Sequence, residues 1–448
     1  MTSSDEARKN TGSKLYVVLI SMVAAFGGLL FGFDTAVISG VIPYIEKYFV
    51  LSGTQTGWIV SSLLFGCIIG VLFTGAPSDR FGRKVVLSSA ALLFFISAIG
   101  AALAQSTLIL ILFRLIGGVA VGSASVISPM YIAEISPAKK RGRLVALNQL
   151  TIVIGILLAF ISNSLIAGHG ENSWRWMLCV MALPAILLFI ALYFIPESPR
   201  WLMQKSNSKE AFRVLQIING TDIAKMEIAA MEQPLNADLS TTFKDVFSPK
   251  HRKVIFIGIG LCVFQQFTGI NIIMYYAPLI FEKAGLSINA AIFQTVSIGL
   301  INLIFTIIAM RLIDRIGRKP LLLIGSFVMA IALFMLSWTF FNTAVSSFLR
   351  IVFILVFIGA FALTWGPVMW VLVSEIFPNR VRGKAMSVAV VFLWASNFLI
   401  TLLFPIFLEK IGGGNTFVFY GIIVALSFIF TLKYVPETKG KELEEIRI

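Results

Sequence analysis

The sequence predicts an all-α membrane protein, with twelve transmembrane helices in two six-helix halves and short cytoplasmic helices between them. Three observations predict it: an apolar composition, twelve long apolar runs, and a set of charged motifs that occurs twice in the same order. Of the 448 residues, 58% are hydrophobic and only 13% charged, and the mean hydropathy is +0.91. Soluble domains carry about a quarter charged residues, so this chain has too little polar surface to cover a fold in water. A spanning helix needs about 20 mostly apolar residues. Such runs fall near 15–42, 57–77, 85–104, 107–133, 144–167 and 175–195, then near 254–281, 288–312, 319–341, 346–376, 384–408 and 415–435.

Orientation follows from the loops. With the N-terminus inside, Lys and Arg gather on the inner side at 80–84, 139–143, 311–319 and 380–384, in the central segment and in both tails. The outside keeps Lys47, Arg175, Lys283, Arg350 and Lys410, while Arg114 lies within a span. An excess of positive charge marks cytoplasmic loops. Both termini are therefore expected in the cytoplasm of a multi-pass cell-membrane protein. The net charge of +14 is a topology signal, and no nucleic-acid partner is expected. The polar first thirteen residues end in no cleavage site and read as a cytoplasmic tail. Cys67, Cys179 and Cys262 are scattered through apolar runs, which fits neither a disulfide framework nor a metal site. The expected divisions are a tail over 1–14, a first half over 15–196, linker helices over 197–252, a second half over 253–436 and a tail over 437–448.

DRFGRKVVL at 79–87 recurs as DRIGRKPLL at 314–322, and PES at 196–198 recurs as PET at 436–438. Between them, Glu134 with Lys140-Arg141-Gly142 recurs as Glu375 with Val381-Arg382-Gly383. Matches in one order, each at a cytoplasmic helix end, define a parallel repeat. That is the layout of the major facilitator fold, whose site lies between the halves at the midplane. Asp79, Arg80, Arg83, Glu134, Arg141 and Glu197, with Asp314, Arg315, Arg318, Glu375, Arg382 and Glu437, read as a cytoplasmic gate. Arg forks pair bidentately with carboxylates, and such pairs would hold the halves together inside while the outside is open. The plainer alternative is that they are topology signals and loop stabilisers. No GxxxxGK[ST] occurs, so ATP is not the driver. No catalytic triad motif or metal-ligand spacing appears, His169 and His251 lie in loops, and neither an enzyme nor a cofactor is expected.

GGLLFGFDTAVISG (27–40), RLIGGVAVG (114–122), PESPRWL (196–202), QQFTGINIIMYYAP (265–278), WGPVMWVLVSEIFP (365–378) and PETKGKELEEI (436–446), with the two DRxGRK boxes, together resemble the sugar porter family over nearly the whole chain. The resemblance is nearest in look to bacterial proton-coupled xylose, arabinose and galactose symporters and to facilitative glucose carriers. It implies a monosaccharide and a proton as partners, in a lipid bilayer, handled by a monomer without cofactor.

A sugar presents hydroxyls at its edges and apolar ring faces, so its site needs amides, hydroxyls and an aromatic plate. Polar side chains deep in a span are costly and mark function. Gln265, Gln266, Asn271 and Tyr275 cluster in span seven, with Gln149 in span five, Asn302 in span eight, Trp370 in span ten, and Trp394 and Asn397 in span eleven. The resemblance implies sugar contacts at these positions, foremost Gln149, Gln265, Gln266, Asn271, Asn302 and Trp370. The competing reading is that the amides only glue helices together. Gly366-Pro367 is expected to break span ten beside the cavity, which Phe31 and Gly32 also line. Leu393 stands where family members often carry an amide, and Ile156 and Met274 make the wall apolar, so the sugar's identity stays open.

Asp34 is the only carboxylate deep within a span. Its depth from the outer face matches that of Arg114, on the order of 10–13 Å for each. A contact between them that varies through the cycle would take up and release a proton. The alternative is a static buried ion pair fixing spans one and four. Facilitative relatives generally have a neutral residue at this position, so the resemblance favours proton symport. A facilitative uniporter and a non-transporting sugar sensor are the rival functions.

Overall fold

The computed structural model describes residues 13–137, 141–232, 243–283, 285–342, 344–378 and 381–439. Twelve helical units are long and apolar enough to cross a membrane. The first half contains α1 (Lys14–Phe49), α2 (Gly53–Phe81), α3 (Arg83–Ala102), α4 (Thr107–Ile135), α5 (Arg141–Ile166) and a sixth span split into α6 (Ser173–Cys179) and α7 (Ala182–Tyr193). Short helices follow: α8 (Pro199–Gln204), α9 (Ser208–Asn219), α10 (Thr221–Glu232) and α11 (Phe243–Val246). The second half contains α12 (Arg252–Phe267), α13 (Ile270–Lys283), α14 (Ile288–Ile316), α15 (Arg318–Phe341), α16 (Ser347–Leu363), α17 (Trp365–Ile376), α18 (Arg382–Lys410) and α19 (Gly412–Tyr434). Several helices run past the apolar runs by one or two turns, because their polar ends continue the backbone ladder beyond the hydrocarbon.

Lipid offers no hydrophobic drive for helix association, so small residues set the packing. Gly66 and Gly70 of α2 face Gly118 and Gly122 of α4: a Cβ on Gly66 would come 2.9 Å from the Gly118 Cα, and one on Gly70 3.0 Å from the Gly122 Cα. The two backbones therefore touch, and Arg114 is carried into the protein interior. A Cβ on Gly155 of α5 would come 3.0 Å from the Phe33 nitrogen of α1.

Two spans of the second half are broken. Span seven divides at Thr268-Gly269, where Gly269 has φ +89°, a left-handed conformation that glycine adopts without penalty. By sequence that span is a single apolar run, 254–281. Span ten was expected to break at Gly366-Pro367. It breaks at Thr364 (φ −127°, ψ −86°), and Gly366 and Pro367 lie in the first turn of α17. A proline there forfeits nothing, because first-turn N–H groups have no helical partner.

The halves meet through α2 with α18, α5 with α14, and α1 with α13. Their contacts run from mid-span to the end remote from the termini. Phe31 packs on Trp394 with centroids 5.6 Å apart, and Trp58 and Phe65 both pack on Phe398 at 5.9 Å. Farther out, Gly57 lies against the Leu402 carbonyl and Gly53 against Pro405 and Glu409.

Candidate functional site

Asp34 and Arg114 are each 2% exposed, and Asp34 Oδ1 lies 3.7 Å from Arg114 Nη1. That is an ion pair but too long for a hydrogen bond. Arg114 Nε instead donates to the Ile59 carbonyl at 3.1 Å, and Asp34 Oδ2 has no hydrogen-bond partner among the described residues. The carboxylate is thus placed beside the guanidinium but not locked to it.

Across the interface the break in span seven folds its amides toward the break in span ten. Asn271 donates to Gln266 at 2.6 Å, Gln266 donates to Gln265 at 3.0 Å, and Gln265 donates to the carbonyls of Trp365 (3.1 Å) and Gly366 (3.3 Å). Trp365 and Gly366 open α17 just past the break, and each carbonyl accepts the amide on a second lone pair. Asn397 donates to the Tyr275 hydroxyl at 3.3 Å and accepts from Thr401 at 3.2 Å. Gln149 and Asn302 make no hydrogen bond within the described residues. Their amides are free for a ligand, whereas Gln265 is engaged with protein.

The aromatic residues divide by role. Trp365 is fully buried, and its indole N–H donates to Ser326 (2.8 Å) and Leu322 (3.2 Å) inside its own half. Trp370 is 37% exposed, and Phe31 with Trp394 forms an aromatic contact across the interface. Leu393, Ile156 and Met274 are buried apolar neighbours.

At the termini end, the charges assemble within each half. Arg83 pairs with Glu134 (3.1 Å) and Asp79 (3.3 Å), and Arg318 with Glu375 (2.9 Å) and Asp314 (3.2 Å). The Ser198 hydroxyl donates to Glu134, and the Thr438 hydroxyl to Glu375 at 2.5 Å. Glu197 accepts from the backbone N–H of Arg83 (3.0 Å) and Lys84 (3.0 Å), and Glu437 from those of Arg318 (3.0 Å) and Lys319 (3.1 Å). Each glutamate therefore caps a helix N-terminus, where the dipole favours an anion. Gly82 and Gly317, at φ +103° and +104°, leave room for these carboxylates. Burial pushes the Glu197 carboxyl above its ordinary range despite its amide donors. Burial also opposes ionisation of Glu437, but N–H donors from Lys439, Arg318, Lys319 and Thr438 outweigh it and hold that carboxyl low.

A gate joining the halves belongs to the state open to the outside; in the present arrangement the four ion pairs lie inside one half or the other. Arg382 donates to the Phe377 carbonyl at 3.1 Å in its own half. Arg80 lies over the Phe81 ring at 5.0 Å, and the Arg315 carbonyl accepts from Lys439. The Arg141 side chain lies outside the described residues.

Sequence reasoning missed Ser97, Asn148 and Asn163, all buried in the first half. Hydroxyls and amides in spans are too common to single out without knowing which faces are sealed from solvent.

Twelve spans in two halves, with buried amides and an aromatic contact near the seam where both halves meet, define a secondary transporter. A sequence profile described as "Sugar (and other) transporter" matches residues 20–448, and the chain belongs to that family. It is 41% identical to the arabinose-proton symporter of Bacillus subtilis over 437 residues, covering 96% of this chain and 94% of the relative. It is 40% identical to the D-xylose-proton symporter of Escherichia coli over 469 residues, covering 96% and 95%. The inward open conformation of the xylose transporter XylE from E. coli superposes with a TM-score of 0.85 at 40% identity, covering 96% of this chain and 99% of the other. The proton:xylose symporter XylE bound to 6-bromo-6-deoxy-D-glucose gives 0.78 at 39% identity, covering 96% and 98%.

Proposed function

We propose that the chain is a proton-coupled symporter for a hexose or pentose in the cell membrane, here in an inward-facing state with both termini cytoplasmic. Contacts between the halves concentrate away from the termini, and the TM-score of 0.85 with an inward-open relative supports the same state. The halves over 15–196 and 253–436 rock against each other, and a monomer contains every part needed. Gln149 and Asn302, with Asn271 and the free valences of Gln266, address the sugar hydroxyls. Phe31, Trp370 and Trp394 offer ring faces, with Tyr275 and Asn397 supporting the wall.

The observation that carries symport is the sealed Asp34–Arg114 pair with its incomplete hydrogen bonding. A carboxylate held loosely by a guanidinium changes protonation when that contact changes. One proton moving through 100 mV supplies about 2.3 kcal/mol, roughly a fortyfold sugar gradient. In proteoliposomes, Asp34→Asn is expected to abolish uphill uptake yet retain sugar counterflow. Full accumulation by that variant at a normal pH gradient would remove Asp34 from coupling. A wild type showing no sugar-dependent proton influx would make the protein a uniporter.

A further inference from the structure

Asp34 Oδ2, the oxygen without a partner among the described residues, lies beside Gly117 of α4. A Cβ on Gly117 would lie 3.0 Å from Asp34 Oδ2 and 2.5 Å from Ser97 Oγ, so the missing side chain leaves both oxygens around one point. Ser97 is 3% exposed. Its hydroxyl donates to the Phe113 carbonyl at 2.7 Å, which spends its only proton and leaves its lone pairs able to accept. Carboxyl χ2 torsions are broad, so rotation of the Asp34 carboxyl can bring the two oxygens into contact.

We infer that Ser97 is the hydrogen-bond acceptor for protonated Asp34, and that Gly117 keeps the space between them open. The ionised carboxylate turns to Arg114. The neutral acid donates its O–H to Ser97 Oγ, while Ser97 continues to donate to Phe113. Two alternative partners thus serve the two protonation states, and Ser97 is a positioning residue for the coupling proton. The other titratable groups around the pair are Cys67 from α2 and Tyr275 and Tyr276 from α13. Cys67 is a weak acceptor, the Tyr275 hydroxyl already accepts from Asn397, and the Tyr276 hydroxyl is turned to the Thr401 carbonyl. The inference rests on the reading of Asp34 as the coupling group.

The test is the pH profile of proton-driven sugar uptake in proteoliposomes, normalised to counterflow by the same preparation. Losing one hydrogen bond to the neutral acid is expected to move the half-maximal pH of Ser97→Ala by about one unit toward acid. Ser97→Thr, which keeps the hydroxyl, should restore the wild-type profile. Adding Ser97→Ala to Asp34→Asn should change nothing further, because no titrating carboxyl remains. Gly117→Ala should reproduce the Ser97→Ala shift. A wild-type profile in Ser97→Ala, or a slowing of counterflow equal in the wild-type and Asp34→Asn backgrounds, overturns the role of Ser97. Full accumulation by Asp34→Asn alone would instead mark failure of the underlying symport reading.

Discussion

Gly57→Ala should tilt the transport cycle toward the outward-facing state. Gly57 sits on α2 in the part remote from the termini, and a Cβ there would lie 2.5 Å from the Leu402 carbonyl oxygen of α18 and 3.3 Å from its carbon. That is roughly 1 Å inside van der Waals contact. The obstacle is backbone of the other half, so no rotamer change relieves it. Overpacking of this kind costs about 1–3 kcal/mol. The strain exists only while the halves are closed on the outer side, so the inward-to-outward ratio should fall roughly 5- to 150-fold. Spin labels at the exposed positions Phe73 and Ser387, on α2 and α18 near the cytoplasmic ends, would read the change as a shorter distance. The labelled protein would lack Cys67, Cys179 and Cys262. Gly75→Ala is the control, because nothing lies within 4 Å of a Cβ there. An unchanged distance distribution in Gly57→Ala, or an equal shift in the control, refutes the reasoning.

Two further outcomes follow from the site and its flanks. Gln149→Ala and Asn302→Ala remove amides that no group among the described residues engages, so each should weaken sugar binding about tenfold while leaving Tm nearly unchanged. Calorimetry beside thermal unfolding in detergent checks this, and a fall in Tm without loss of affinity would reassign them to packing. The helix-capping glutamates should differ in pH dependence. Glu437, held low, contributes stability present above the ordinary glutamate value of 4.5 and lost as pH falls through its depressed folded value. Glu197, pushed up, has the opposite sign: its stabilising contribution is full below 4.5 and is lost as pH rises through its elevated folded value. The Tm deficit of Glu437→Gln should therefore shrink on acidification, and that of Glu197→Gln should grow. Parallel slopes would show that the two caps are electrostatically equivalent.

The spans and the repeat were legible because bilayer thickness and loop charge act on sequence directly, one helix at a time. The proximity of Asp34 and Arg114 was legible for the same reason: depth is a count of residues along a helix. The break in span seven was not, and that in span ten was legible only to within two residues. Thr268-Gly269 looks like an ordinary small pair inside an apolar run, and the span-ten break sits two residues before the Gly-Pro that advertises it. Gln265 donates to the first-turn carbonyls just past that break, a tertiary contact that the local sequence does not show. The partners of the termini-end charges were equally hidden. Arg83 could reach a carboxylate in either half by sequence, and only the packing of Glu134 and Ser198 beside it decides.

That choice of partners bears on how the halves move. Arg83 is a nearly buried side chain, 5% exposed, beside a Glu134 side chain that is 12% exposed. Leaving one charge of such a pair buried without its partner costs about 3–5 kcal/mol. A transporter that broke several such pairs in each turnover would face a barrier far above what one proton and one sugar supply. Keeping Arg83–Glu134 and Arg318–Glu375 inside their halves removes that cost and ties each half into a rigid body. The moving seam holds Phe31–Trp394, Trp58–Phe398 and Phe65–Phe398 beside close backbone contacts such as Gly57 on Leu402. Aromatic pairs add about 0.5–1.5 kcal/mol each, a few kcal/mol for the three. Swinging a two-state equilibrium from one side to the other takes about 5.5 kcal/mol. Contacts of this strength can be exchanged within that range by ligand binding, whereas the charge networks cannot. The division of labour, weak apolar contacts between the halves and strong polar ones within them, is what lets proton and sugar binding govern the cycle.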